Sequence, residues 1–179
     1  LRSPPLHTRR FPCKVGRFTM AHRFVCTERV QFSDTDMAGI MHFSNFFKFM
    51  ERAEHAFFRS LDLSVWENPE HIPPEERVHW PRVHASCDFH APLRFEEEAR
   101  VELLVEEIRT RAIRYLIRVW KADGELSGEG RMAAACVQKD AATGKMKAVS
   151  IPGRIRGKIE AAPPELLRRL HRLLSIARQ

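Results

Sequence analysis

The chain has 179 residues, 44% of them hydrophobic and including three Trp and twelve Phe, enough for one folded domain with a real core. No apolar run reaches the roughly 18 residues of a membrane-spanning helix, and Cys13, Cys26, Cys87 and Cys136 form neither a CxxC pair nor a metal-type cluster. The net charge of +7 sits at the ends: residues 1–19 hold five basic residues and no acid, and residues 163–179 hold four Arg and one Glu. The middle is therefore close to neutral, without the cationic footprint of a nucleic-acid-binding body.

Residues 1–19 are rich in Pro and Arg and lack a periodic apolar face, so they read as a disordered or non-native extension ahead of a start at Met20. A basic targeting arm is the other reading. From Arg23 the pattern alternates, with Phe24, Cys26, Val30 and Phe32 on one side of a strand. Ser33, Asp34, Thr35 and Asp36 are turn formers, and Gly39 permits a sharp bend. The strongest helix signal spans 44–61, where Phe46, Phe47, Met50, Ala53, Phe57 and Leu61 recur at helical spacing and Ser44 is the expected N-cap. Pro69, Pro73 and Pro74 mark a loop. Four strands are expected at 83–90, 99–108, 112–121 and 131–139, with a tight hairpin at 122–125. An amphipathic helix over 163–177 closes the chain. Strand, long apolar helix and a four-strand meander define an α+β chain whose single antiparallel sheet wraps around one helix, the hotdog arrangement. The domain is expected over 20–162, followed by the segment 163–179. Such a sheet leaves open edges, so pairing with a second copy is expected.

The informative segment is Phe32 to Phe43. It places Asp34 and Asp36 at a strand end, then the Gly39 bend, then a helix N-terminus. A helix N-terminus offers unpaired N–H groups that hold an oxyanion, and a nearby carboxylate attacks directly or activates water. On spacing alone, Asp34 and Asp36 also fit plain Asx-turns. His79, His84 and His90 do not make a metal site, because His84 and His90 lie roughly 20 Å apart along a strand. The helix carries Glu51 and Glu54; Glu51 is expected to pair with Arg52 on the polar side.

Phe32 to Arg52, reading FSDTDMAGIMHFSNFFKFMER, resembles the signature of the 4-hydroxybenzoyl-CoA thioesterase family, which includes the Tol-Pal-associated acyl-CoA thioesterases. The similarity of pattern runs from about Phe24 to Pro152 and includes Ser86-Cys87-Asp88-Phe89. The resemblance implies that Asp36 is the catalytic carboxylate, as nucleophile or general base, and that the backbone N–H of Phe43 is an oxyanion donor. It makes Asp34 a turn residue. Many relatives carry Tyr or His at the position of Phe43; here the histidine is His42, whose role is either catalytic or on the pocket rim. By the same resemblance Arg109, Arg111 and Arg114 hold the phosphates of coenzyme A, and Met37, Met41 and Phe46 are candidates to line an acyl groove. The implied substrate is an acyl-CoA, with no metal or redox cofactor, in a cytoplasmic homodimer or homotetramer without nucleic acid or membrane partners. The alternatives are a non-catalytic acyl-CoA or acyl-carrier-protein binder, a membrane-edge protein using its C-terminal helix, and a hotdog hydratase. Hydratases of that fold space Asp and His by five with Asn-Pro between, whereas Asp36 and His42 are six apart.

Overall fold

The computed structural model describes residues 20–67, 70–140 and 143–168; the expected extension 1–19 and the end of the C-terminal helix lie outside them. Strand β1 (Arg23–Arg29) leads through a 3-10 turn (Phe32–Asp34) into helix α1 (Phe43–Ser60). Strands β2 (Arg82–Phe89), β3 (Glu98–Ile108), β4 (Ala112–Lys121) and β5 (Leu126–Ala135) follow. The short pair β6 (Val137–Lys139) and β7 (Met146–Ala148), and the helical turns α2 (Gly153–Arg156) and α3 (Pro164–Leu167), complete the described chain.

The five long strands form one antiparallel sheet in the order β1-β3-β4-β5-β2. The expected continuous meander is corrected here. β3, β4 and β5 do follow one another through tight connections, but β2 crosses to the far edge and pairs with β5. Helix α1 thus leaves the sheet at one edge and returns the chain to the other, so strands flank its apolar face on both sides. Phe46, Phe49, Met50, Ala53, Phe57 and Phe58 are buried there against Val101, Leu103, Tyr115, Ile117 and Met132. The expected strand at 131–139 is also corrected. β5 starts at Leu126, straight after a hairpin in which Gly124 adopts φ +90°, and the ladder breaks at Cys136. Its early residues escaped the apolar pattern because Gly128 and Gly130 stand where α1 presses on the sheet. A Cβ on Gly130 would lie 2.6 Å from Met50 Cε and 2.8 Å from the Ser86 carbonyl oxygen.

Two local expectations on α1 change. The N-cap is His42 rather than Ser44, because the ring nitrogen of His42 reaches the Ser44 N–H while Ser44 already lies in the first turn. Glu51 and Arg52 do not pair, since adjacent helix residues point in different directions. Arg52 instead meets Glu28 of β1 at 3.3 Å, and Glu51 turns toward His55 and Arg82.

On the outer face of the sheet, Leu166 and Leu167 pack on Leu104, Leu116 and Ala162, as far as the C-terminal segment is described. Arg118, 1% exposed, donates to the carbonyls of Leu166 (2.9 Å) and Leu167 (3.0 Å) and pairs with Glu129 at 2.9 Å. Among the described residues no helix is long and apolar enough to cross a membrane.

Candidate active site

The loop between β1 and α1 is held by its own backbone. The carboxylate of buried Asp34 accepts from the Gln31 N–H at 2.9 Å, and its carbonyl accepts from the His42 N–H (2.9 Å) and from Asn45 Nδ2 (2.8 Å). Asp34 therefore ties the loop to the first turn of α1. Thr35 bridges to Met41, so the two arms of the loop lie side by side. Between them Asp36 N–H donates to the Ile40 carbonyl (3.0 Å) and Gly39 N–H to the Asp36 carbonyl (3.0 Å), with Gly39 at φ +72°, a conformation that glycine adopts freely.

This closed turn presents Asp36 to solvent close to the start of α1. One carboxylate oxygen, Oδ1, accepts from the Ala38 N–H at 2.8 Å. Oδ2 has no hydrogen-bond partner among the described residues. The Phe43 N–H, at the first position of α1, also lacks a partner among them. A carboxylate oxygen and a helix N-terminal N–H, seven residues apart in the chain, are thus both left without a partner in the loop that enters α1. That is the minimum an acyl transfer needs: a group that delivers or activates oxygen, and a donor for the oxyanion.

His42 lies beside the pair with Nδ1 committed to the cap, 2.8 Å from Ser44 Oγ and 3.4 Å from Ser44 N, and its ring lies against Phe43 with 4.4 Å between centroids. Met41 is in the core, 3% exposed, and Phe46 is buried with it, whereas Met37 is fully exposed. Arg109, Arg111 and Arg114 sit at the β3–β4 hairpin. Arg109 pairs with Glu107 at 3.0 Å, Arg114 lies 3.9 Å from both Glu106 and Glu107, and Arg111 is exposed. The hairpin adjoins the C-terminal end of β5, since Ala112 pairs with Ala135. The start of α1 adjoins the other end, where Phe46 packs on Gly128 and Phe89. Within one chain the arginines and Asp36 therefore occupy opposite ends of the sheet.

A second polar group was not assembled by sequence reasoning. Glu54, fully buried on α1, pairs with Arg82 at the start of β2; Arg82 also approaches His55 (3.5 Å) and Glu51 (3.7 Å). Burial pushes the Glu54 carboxyl up to about 7, against the opposing pull of Arg82. The Tyr115 hydroxyl faces Glu54, yet Tyr115 Oη, Glu54 Oε1, Trp80 Nε1 and Arg82 Nε are all buried without a completed hydrogen bond. The available signal was Glu54 itself, a carboxylate between Met50 and Phe58 on the apolar stripe, and the single Tyr of the chain on an inward strand position.

An antiparallel sheet wrapped on one long helix is the hotdog architecture. The thioesterase-like superfamily model matches residues 30–170, and the chain belongs to that superfamily. The acyl-CoA thioester hydrolase YbgC of Escherichia coli is 24% identical over 127 residues, which span 71% of this chain and 88% of that protein. The structure of a gentisyl-coenzyme A thioesterase superposes with TM-score 0.62 at 27% identity, covering 74% of this chain and 99% of that one. The 4-hydroxybenzoyl-CoA thioesterase from Pseudomonas sp. strain CBS-3 superposes with TM-score 0.64 over 76% of this chain and 99% of its own; at 18% identity it shows the shared fold.

Proposed function

We propose that the protein is an acyl-CoA thioesterase, converting a thioester and water into a carboxylic acid and the thiol of coenzyme A. The observation that carries this reading is that the loop entering α1 holds both an exposed Asp36 carboxylate with a free oxygen and, at the first residue of the helix, an unpartnered Phe43 N–H. Water adds to the thioester carbonyl as Asp36 takes its proton, or Asp36 adds first to give an anhydride that water then opens. In either route the oxyanion forms at the Phe43 N–H, where the helix dipole stabilises it, and its collapse expels the thiolate. Neither route calls on a metal or a redox group.

The β2 edge supports a homodimer. Val83 and Phe89 on this strand and Phe43 beside it are exposed, and the strand offers an unpaired ladder. Antiparallel pairing of two β2 edges about a twofold axis carries the hairpin end of one sheet to the α1 end of the other. Arg109, Arg111 and Arg114 then serve the site across the interface. Arg109 borders a cleft of about 500 Å³ with Thr110, Ser150 and Arg156, a cationic seat for the phosphates of coenzyme A. The working unit is the domain 20–162 with residues 163–168 laid on its outer face, acting as a cytoplasmic enzyme.

One observation favours a second reading, a non-catalytic acyl-CoA binder: the bond from Ala38 N–H to Asp36 is a plain Asx-turn. Thiol release from a panel of acyl-CoAs, acetyl to palmitoyl with benzoyl and phenylacetyl, separates the two. The thioesterase turns over at least one member, and Asp36→Asn, still folded, loses about a hundredfold, roughly 2.7 kcal/mol of barrier reduction. Binding without turnover by wild type establishes the second reading.

A further inference from the structure

Edge strand β2 carries two polar side chains that its own chain leaves unmatched. His84, Ser86 and Asp88 stand opposite Ala133, Arg131 and Glu129 of β5 on the outer face of the sheet, and all three are exposed. Asp88 thus has a like charge directly across the ladder, an arrangement that costs stability. Glu129 is already matched by Arg118 and Arg131. The Asp88 carboxylate makes no hydrogen bond or ion pair among the described residues. His84 meets only the Ser86 hydroxyl, at 3.3 Å. Four residues separate His84 from Asp88, roughly 13 Å of strand at ~3.3 Å each, so the two cannot meet within one chain.

The free side of β2 limits how a second copy can pair with it. The His90 N–H donates to the Ser127 carbonyl at 2.8 Å. By the alternation of an antiparallel ladder, His84, Ser86 and Asp88 then spend their backbone groups on β5, while those of Ala85, Cys87 and Phe89 point to the open edge. A twofold axis makes the residue numbers across the edge sum to a constant, and outer residues meet outer ones. Three registers keep the middle of the strand paired. An axis at Cys87 sets His84 against His90 and Asp88 against Ser86. An axis at Ala85 sets Asp88 against Arg82, where a bulge breaks the strand and the guanidinium is committed to Glu54. An axis at Ser86 sets each His84 opposite the partner's Asp88, twice, while Ala85 and Cys87 exchange both backbone hydrogen bonds. The His–Asp pairs are then of the non-hydrogen-bonded kind, with Cα atoms about 4.5 Å apart and side chains at their closest.

We infer that two copies join their β2 edges with Ser86 on the twofold axis, held in that register by His84 of each chain against the partner's Asp88. The inference rests on the edge-to-edge dimer of the proposed function and adds its register. It makes His84 and Asp88 positioning residues. Moving the axis by one residue slides one chain past the other by two, which shifts the hairpin arginines of one chain by roughly 7 Å relative to Asp36 of the other. An imidazole N–H donates to a carboxylate whether or not the ring is charged, so the pair persists in either state of the ring.

Two measurements test it. On a Cys87→Ala background, Ser86→Cys should form an intermolecular disulfide at the substituted position under diamide, located by peptide mapping, because only this register sets residue 86 against itself. His84→Glu places two carboxylates across the edge. It should weaken the dimer about tenfold or more in sedimentation equilibrium and raise KM for an acyl-CoA more than it lowers kcat. Adding Asp88→Lys to the same chain should restore both, and since the two positions are too far apart to compensate within a chain, the rescue reports the partner; a merely structural defect would not be rescued. A wild-type dimer whose Ser86→Cys variant stays reduced overturns the inference and leaves the edge dimer standing, as does a double variant no better than His84→Glu. A wild type that sediments as a monomer removes the dimer and the inference together. Disulfide and sedimentation need no turnover, so their outcome is separate from that of the thioesterase reading.

Discussion

At the residue scale, Asp36 differs from Asp34 in its exposure. Asp34, two positions earlier, is buried, its carboxylate accepting from the Gln31 N–H and its carbonyl from Asn45 Nδ2, so Asp34→Ala should unfold the loop and lower thermal stability, whereas Asp36→Asn should change turnover and leave the melt in place. His42 makes a different prediction. Its Nδ1 caps α1, so His42→Ala should cost about 0.5–2 kcal/mol of stability, read by urea titration. If His42→Ala instead abolishes turnover with stability unchanged, the ring acts in the chemistry rather than as a cap. Glu54 adds a pH signature. Arg82, Glu51, His55 and Tyr115 face it, and burial sets its folded pKa at about 7 against an ordinary 4.5. Between those values the folded state holds a proton that the unfolded state releases, so this contribution is present at low pH and lost as pH rises through about 7. Melting temperatures measured from pH 5 to 8 should show that decline in wild type and a flatter profile in Glu54→Gln.

At the element scale, Gly128 and Gly130 let Phe46 and Met50 of α1 approach β5 closely, while the inner side of β2 stays exposed at the edge of the sheet. Gly130→Ala should therefore destabilise the fold by about 1–3 kcal/mol, because both Met50 and the Ser86 carbonyl would have to move. A smaller shift in the calorimetric melt would show that the helix can slide. The edge itself is testable: Val83→Lys, on an exposed position, should leave the protomer folded and move the sedimentation coefficient from dimer toward monomer. The apolar stripe of α1 and the alternation in β3 and β4 were legible from periodicity, because those residues face one continuous core. The start of β5 was not, since glycines chosen for close approach carry no hydropathy signal.

At the scale of the whole molecule, the order of elements announced a sheet around a helix, but not which strand would lie at the edge. Local pattern says nothing of a crossover: β2 alternates as well as β3, and its place beside β5 is set by where α1 ends. The candidate site divides in the same way. Asp36, Gly39 and the helix start were legible because they are contiguous. Arg82, His55 and Tyr115 were not, because they meet Glu54 only after three elements pack.

The separation of Asp36 from the hairpin arginines has a consequence in genetics. If each site draws its carboxylate from one chain and its arginines from the other, two inactive alleles can rescue one another. Chains carrying Asp36→Asn, mixed with chains carrying Arg109→Ala and Arg111→Ala and allowed to exchange subunits, form hybrids in which one of the two sites is wholly intact. Random exchange makes half the dimers hybrid, so about a quarter of wild-type activity should return from two dead preparations. Were both halves of the site supplied by the same chain, no mixture would recover anything.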